Sequence, residues 1–335
     1  MKNDIKKVEV SCNNCGSSDA AFVTNGVEHE YDNTTQDEFT VVKCKQCGLH
    51  YLNPRPDVSE LSTIYPSEYY AYHLQTKNVE SENQDSLLYR ARKFVYLDRL
   101  EKAISHCGNN QELNILDIGC ADGRALNWYR KIESTTVNTF GVDFDQIAVE
   151  RARAAGHTIY QGRFEDVDMP TDFFDMAVAT HVIEHVADSK AFARRAFEVI
   201  KPGGILLLET PNIDSLDARI FRHRHWGGYH FPRHWVFYSA ASITQLVKGL
   251  GFDVIEIRYH PAPAFWNWSF HSLMAAQAPC KKLADFLFPP SDFQKNNLKN
   301  LCAVSLFTFF DVVQKATTGK TSNMSILLRK PIGGS

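Results

Sequence analysis

The chain has 335 residues, 44% of them hydrophobic and 22% charged, with a formal net charge of -3. That length accommodates one full α/β core and an appendage, at about 100 to 200 residues per domain, and the charge balance excludes a globally basic, nucleic-acid-like surface. The N-terminal MKNDIKKVEVSCNNC lacks the apolar region of a secretory signal, and no run approaches the roughly 20 apolar residues that span a bilayer, so the chain reads as cytoplasmic.

The first fifty-odd residues are polar and turn-rich and carry two cysteine pairs, Cys12-x-x-Cys15 and Cys44-x-x-Cys47, each followed by glycine. Four thiolates in two knuckles suffice for a closed tetrahedral zinc site with no position left for water, which implies a structural metal. The long stretch between the pairs favours a small ribbon over a DNA-reading helix. Four free thiols or two disulfides are the alternatives. The other cysteines, Cys107, Cys120, Cys280 and Cys302, are scattered through core-like sequence, which fits a reduced compartment better than a disulfide framework. Asn53-Pro54-Arg55-Pro56 is a rigid exit that sets a zinc-binding module at 1–56. A helical connector follows over 57–109, with the tyrosine-rich IYPSEYYAY and a helix from about Leu87 to Ser105.

From residue 113 short apolar runs alternate with amphipathic helices. LNILDIG, TFGVDF, HTIYQG, FFDMAVAT, GILLLET and DVIEIRY read as strands, and RALNWYRKIE, DQIAVERARAAG, DSKAFARRAFEVI and SAASITQLVKGLG as helices. This alternation predicts an α/β, doubly wound parallel sheet over 110–335, interrupted at 261–322 by an aromatic-rich insertion and closed by a last strand, NMSILLRK. The insertion reads as a helical cap. Its residues 262–310 hold many exposed-prone aromatics, among them Phe265, Trp266, Trp268 and Phe307, which a dimer contact or a membrane-surface face would also use.

Asp117-Ile118-Gly119-Cys120-Ala121-Asp122-Gly123 ends the first of these strands and opens a helix, where glycines let a ligand approach bare amides. The spacing is Gly-x-x-x-Gly, which argues against a dinucleotide fold. The second strand ends in Asp143, placed to accept hydrogen bonds from both hydroxyls of an adenosine ribose. A helix cap for Asp143 and a solvated strand end for Asp117 are the bland alternatives.

ILDIGCADG, GVDFD, FEDVDMPTDFFDMAVATHVIEHV and VIKPGGILLLETPN, in that order, resemble the successive motifs of class I S-adenosylmethionine (SAM) dependent methyltransferases over roughly residues 110–260. The resemblance implies a seven-stranded Rossmann-like sheet whose last strand is antiparallel. By position it implies that Gly119, Cys120 and Gly123 lie against the methionine part of SAM, Asp143 binds the ribose, and Phe164 and Glu165 flank the adenine, with Asp117 and Phe144 also expected at the cofactor. Thr180 and His181 would face the sulfonium. Tyr70, in the tyrosine-rich connector, is expected to close over the cofactor, with ordinary packing as the alternative. CNNCG, KCKQCGLHYLNPRP and the tyrosine segment resemble the module ahead of certain bacterial methyltransferases of surface-polysaccharide, sugar and secondary-metabolite pathways.

Methyl transfer to a hydroxyl needs the acceptor held close and its proton removed, a task suited to histidine near neutral pH. His181 and His185, read at the start of a helix, form one candidate group; they also resemble a metal pair, with no third ligand evident. The stretch RIFRHRHWGGYHFPRHW (219–235) forms the other, containing four arginines, four histidines and no acid. We expect His234 as general base with His181 beside it, and Arg224, His230 and Arg233 as acceptor-binding residues, the arginines gripping a phosphate or carboxylate.

The leading expectation is O-methylation of a sugar, nucleotide-sugar or glycan intermediate. A lipid or quinone-like phenol and a keto-sugar carbon are competing acceptors. RNA methylation is opposed by the acidic charge, and a non-catalytic zinc/SAM-fold interaction protein is opposed by the intact Asp117, Gly119 and Asp143.

Overall fold

The computed structural model describes residues 4–66, 87–108, 111–277, 280–290 and 297–333. Tyr70, and with it the expected lid over the cofactor, lies outside the described residues.

The N-terminal segment is built on two knuckles. Gly16 and Gly48 have φ of +77° and +76°, and their amides return to the carbonyls of Cys12 at 2.8 Å and Cys44 at 3.0 Å. Only glycine adopts that φ without strain, so the glycine after each cysteine pair is part of the turn. Strand β1 (Lys7–Val8) pairs with β5 (Arg55–Pro56), and β2 (Ala20–Val27), β3 (Glu38–Cys44) and β4 (His50–Leu52) form an antiparallel meander. The fourth strand of that sheet, β11 (Val236–Phe237), comes from far along the chain: Val236 pairs with Tyr51 and Phe237 with His50. The sheet therefore crosses the boundary expected at residue 56. One continuous apolar core joins Phe39, Val41 and Leu52 to Trp235 and Tyr238.

The main sheet consists of β6 (Glu112–Ile118), β7 (Thr136–Asp143), β8 (Thr158–Gln161), β9 (Phe174–Thr180), β10 (Ile200–Pro211), β12 (Asp253–His260) and β13 (Asn323–Arg329). Their order is β12-β13-β10-β9-β6-β7-β8, with β13 antiparallel to both neighbours and the remaining pairs parallel. This is the seven-stranded Rossmann-like sheet with an antiparallel last strand that the sequence leads one to expect. β9, FDMAVAT, is buried over its first six residues, as expected for a strand covered on both faces. The chain leaves β6 in one direction to β7 and returns on its other side as β9, so a crevice opens beyond the carboxyl ends of these strands.

The covering helices carry local start signals. Asp188 Oδ1 accepts from the amides of Lys190 and Ala191, both at 2.9 Å, and opens the helix Ser189–Val199, which buries Phe192, Ala193, Ala196 and Val199. Ser239 and Ser242 form a reciprocal box at the start of Ala240–Lys248.

Between β12 and β13 the described residues form three helices, Pro263–Ala275, Lys281–Leu287 and Leu298–Thr318. Asp311 ties the first to the third, accepting from Ala262 N at 2.7 Å and Trp266 Nε1 at 3.0 Å. The aromatics largely pack on one another, with Phe270 stacked on Phe307 at 5.7 Å and Trp266 edge-on to Phe310 at 5.3 Å. Phe286, Leu298 and Phe309 remain exposed. Among the described residues no helix is long and apolar enough to cross a membrane.

Candidate active site

At the carboxyl end of the sheet is a cavity of about 510 Å³, within the range of small-molecule sites. One end is formed by the loop after β6. There Gly119 (φ +77°) and Ala121 (φ +46°) bend the chain sharply, and Gly119 N bonds Val142 O at 2.8 Å. A Cβ on Gly119 would sit 2.8 Å from Val182 Cγ2, so the turn has no room for a side chain. Asp143, at the end of β7, accepts from Ala121 N at 2.9 Å and Asp145 N at 3.0 Å, one on each oxygen. Each oxygen retains lone pairs, and Asp143 lines the cavity. Burial pushes its carboxyl above the usual range, more than the amides of Asp145 and Ala121 bring it down. Hydroxyl donors from a ligand would offset that burial. The side-chain-free turn and this carboxylate fit the aminoacyl and ribose parts of SAM.

Of the residues expected at the cofactor, Gly119, Asp143, Phe144, Phe164, Glu165 and Thr180 line the cavity. Asp117, Cys120 and Gly123 do not. Asp117 is buried beneath it; burial pushes its carboxyl to about 7, against a hydrogen bond from Tyr129. The Cys120 side chain turns into the core, so that a Cβ on Gly141 would meet its Sγ at 2.5 Å. Gly123 (φ +78°) precedes the helix Arg124–Tyr129, and a Cβ there would clash with His157 at 2.9 Å, which makes it a packing position.

His181, His185, His230 and His234 line the same cavity, with Tyr65, Phe265 and Trp268 around them. His181 leaves β9 with φ +54°, and the residues after it form turns, not the expected start of a helix. Its Nδ1 donates to Glu184 Oε1 at 3.0 Å, while its Nε2 lies 3.8 Å from Glu209 Oε1. Burial alone would lower its pKa, but the hydrogen bond and charge of Glu184, with the charge of Glu209, outweigh burial and leave it raised. For Glu184, burial raises the pKa, yet the His181 hydrogen bond and neighbouring histidines hold it at about 2. A carboxylate orienting a histidine that lines a ligand cavity is a general-base arrangement. Glu184 escaped selection from sequence although its i+3 spacing from His181 was visible.

His234 lines the cavity but is held differently. Its Nδ1 donates to Gly228 O at 2.8 Å, and burial drives its pKa well down, so it is a weaker base than His181. His230 also lines the cavity. Arg233 Nε donates to its Nε2 at 3.0 Å, so its Nδ1 carries the proton given to Glu30 Oε1 at 2.6 Å. Both ring nitrogens of His230 are thus engaged within the protein, and its ring stacks with Trp268 at 5.8 Å.

The two arginines expected to grip the acceptor do not reach it. Arg233 is fully buried, bonding Glu28 Oε2 at 2.6 Å and Ile64 O at 3.1 Å, because its charge is neutralised inside the protein. Arg224 lies at the surface, paired with Glu38 at 2.7 Å. Both acids come from the N-terminal sheet region.

In that region the sulfurs of Cys12, Cys15, Cys44 and Cys47 all lie within 4.8 Å of one another. Cys12 and Cys47 are 3.3 Å apart and Cys15 and Cys44 3.5 Å. These separations exceed the ~2.05 Å of a disulfide and approach the roughly 3.8 Å edge of a tetrahedron with 2.3 Å bonds. Burial raises the Cys44 thiol, but the Cys47 and Gln46 amides outweigh it and bring it to about 7. The four can hold a metal.

A family profile described as "Methyltransferase domain" matches residues 89–257. A "Probable S-adenosylmethionine-dependent methyltransferase" of Mycolicibacterium smegmatis is 27% identical over 173 residues, taking 51% of this chain and 61% of that protein. A "Ubiquinone biosynthesis O-methyltransferase" of Methylobacterium nodulans is 29% identical over 185 residues, 50% of this chain and 74% of that one. Among solved structures, a SAM dependent methyltransferase from Archaeoglobus fulgidus aligns with 16% identity and a TM-score of 0.44, covering 71% of this chain and 94% of its own.

Proposed function

The chain belongs to the methyltransferase domain family, and from that premise we propose that it is a SAM-dependent O-methyltransferase acting on a ring-borne hydroxyl. The observation that carries this reading is the His181–Glu184 pair at the exit of β9, on the same cavity as Gly119 and Asp143. SAM supplies an electrophilic methyl group on a sulfonium. Asp143 receives the ribose hydroxyls, the bare turn at Gly119 accommodates the aminoacyl end, and Phe164 and Glu165 flank the base. His181 takes the acceptor's proton at Nε2, and Glu184 holds the ring and balances the charge that forms. Tyr65, Phe265 and Trp268 enclose the acceptor end and exclude water.

The acceptor we favour is a sugar unit or glycan intermediate, supported by the likeness of the N-terminal segment to modules of such pathways and by aromatic faces suited to a sugar ring. With Arg224 and Arg233 turned elsewhere, nothing singles out a diphosphate-bearing acceptor. The apolar, aromatic acceptor end and the ubiquinone O-methyltransferase among the relatives favour a second reading, a quinone-like phenol. We assign structural zinc to Cys12, Cys15, Cys44 and Cys47, and treat 1–56 as a module whose sheet the catalytic region completes. The test is a screen of sugars, glycan fragments and catechol-type phenols that follows S-adenosylhomocysteine release. Turnover with either class that disappears in His181→Asn supports the reading, and turnover unaffected by that change overturns it.

A further inference from the structure

We propose that Glu184, His185 and His234 form a second metal site, distinct from the four cysteines, which takes a divalent transition-metal ion such as zinc at the acceptor end of the cavity. It rests on the function proposed above only for its role there. The three residues each offer a ligand atom, and these atoms lie within 4.8 Å of one another. An ion with bonds of about 2.0 to 2.2 Å would draw them closer together.

Two histidines can bind one ion only if both present a bare nitrogen on the same side. The His234 Nδ1 faces Gly228 O at 2.8 Å, and the His185 Nδ1 faces Arg233 O at 3.1 Å and the Tyr65 hydroxyl at 2.8 Å. A carbonyl can only accept, so in each ring Nδ1 carries the proton and Nε2 keeps its lone pair. Backbone carbonyls that fix the tautomer of a histidine are the supporting partners expected around a ligating imidazole. The rings stand edge to face, centroids 4.5 Å apart at 79°.

Glu184 is buried, and its oxygens receive the His181 Nδ1 at 3.0 Å and the Thr210 hydroxyl at 3.1 Å. A carboxylate has about four lone-pair sites, so capacity for an ion remains. The cluster is held together through the backbone, since Glu184 O accepts from both Trp235 N (2.8 Å) and Val236 N (3.2 Å) and so fixes the chain next to His234. His185 and His234 line the cavity, so an ion on this set keeps positions open toward it. Two histidines and one carboxylate with open positions is a catalytic, not a closed, arrangement. An acceptor hydroxyl in the open position would release its proton more readily, and that proton would go to His181.

The test is metal stoichiometry of the purified full-length chain after equilibration with excess zinc and desalting, with S-adenosylhomocysteine affinity measured on the same samples. We expect two zinc ions per chain in the wild type and one in His234→Ala, Glu184→Gln and Cys44→Ser. One ion in the wild type, or two retained in His234→Ala, would overturn the site. Cobalt titration of the wild type keeps the proposal testable if a variant does not fold. A second equivalent that adds d–d absorption without more thiolate charge transfer supports it, and no such absorption refutes it. Cofactor binding is read separately, so its loss would count against the methyltransferase reading and not against the metal site.

Discussion

His230 Nδ1 and Glu30 Oε1 meet at 2.6 Å in the protein interior although the residues are 200 positions apart. With Arg233 and Glu28 they form a buried network that joins the N-terminal segment to the cavity lining at His230. The segment that carries the cysteines thereby also holds His230, one of the residues lining the cavity.

Removing Glu28 from this network takes away the close partner of a buried charge and leaves Arg233 the longer 3.8 Å contact to Glu30 Oε2. Glu28→Ala, which strips the carboxylate from Arg233, should lower the free energy of unfolding by about 3 to 5 kcal/mol. Urea denaturation measures it, and a loss below about 1 kcal/mol would show that Arg233 finds another partner at little expense.

Asp117 makes stability depend on pH in a specified direction. Burial raises its carboxyl to about 7 in the folded protein, against about 3.9 unfolded. A raised acid binds its proton more tightly when folded, so it destabilises progressively as pH rises from about 4 to about 7, then levels off. Asn in its place cannot ionise and still accepts from Tyr129. Asp117→Asn should therefore gain on the wild type by about 2.6 kcal/mol between pH 5 and pH 8, by denaturation at both values. A constant difference would mean that Asp117 ionises normally.

The loop at Gly119 should tolerate no side chain. Its φ of +77° and the 2.8 Å approach to Val182 act together. Gly119→Ala should cost more than about 1 kcal/mol of stability and weaken S-adenosylhomocysteine binding. Calorimetry that finds wild-type affinity would exclude this turn from the cofactor site.

His181→Asn should slow turnover on an accepted substrate by about 10²- to 10⁴-fold, the usual contribution of a positioned base. Its affinity for S-adenosylhomocysteine should stay within about threefold. Steady-state kinetics beside calorimetry separate the two, and loss of cofactor binding alone would make His181 a cofactor contact instead.

The glycine turn and Asp143 were legible because their signals are local, although Asp117, Cys120 and Gly123 of the same unit do not line the cavity. Glycines at fixed offsets, an acid at a strand end and period-two apolar runs all fall within one strand–loop–helix unit, and the cysteine spacing announces a four-sulfur cluster in the same way. The acceptor half was not. A stretch with four arginines, four histidines and no acid reads as a free basic loop, but its counter-charges Glu28, Glu30 and Glu38 lie more than 180 residues upstream. The pairing that brings them there runs through Val236–Phe237, a two-residue strand too short to show any periodicity. Long-range charge neutralisation leaves no local trace, and Arg224 and Arg233 were assigned to the acceptor for that reason. The His181–Glu184 contact was within reach of sequence, at i+3, but a turn and not a helix brings it about.

The central claim is that this cavity binds SAM through Asp143. Calorimetric titration of the wild type and Asp143→Ala with S-adenosylhomocysteine tests it most directly. The account predicts one site per chain in the wild type, weakened tenfold or more in the variant, since a charged hydrogen bond contributes about 1.5 to 3 kcal/mol. No binding by the wild type, or equal affinity in both proteins, would contradict it.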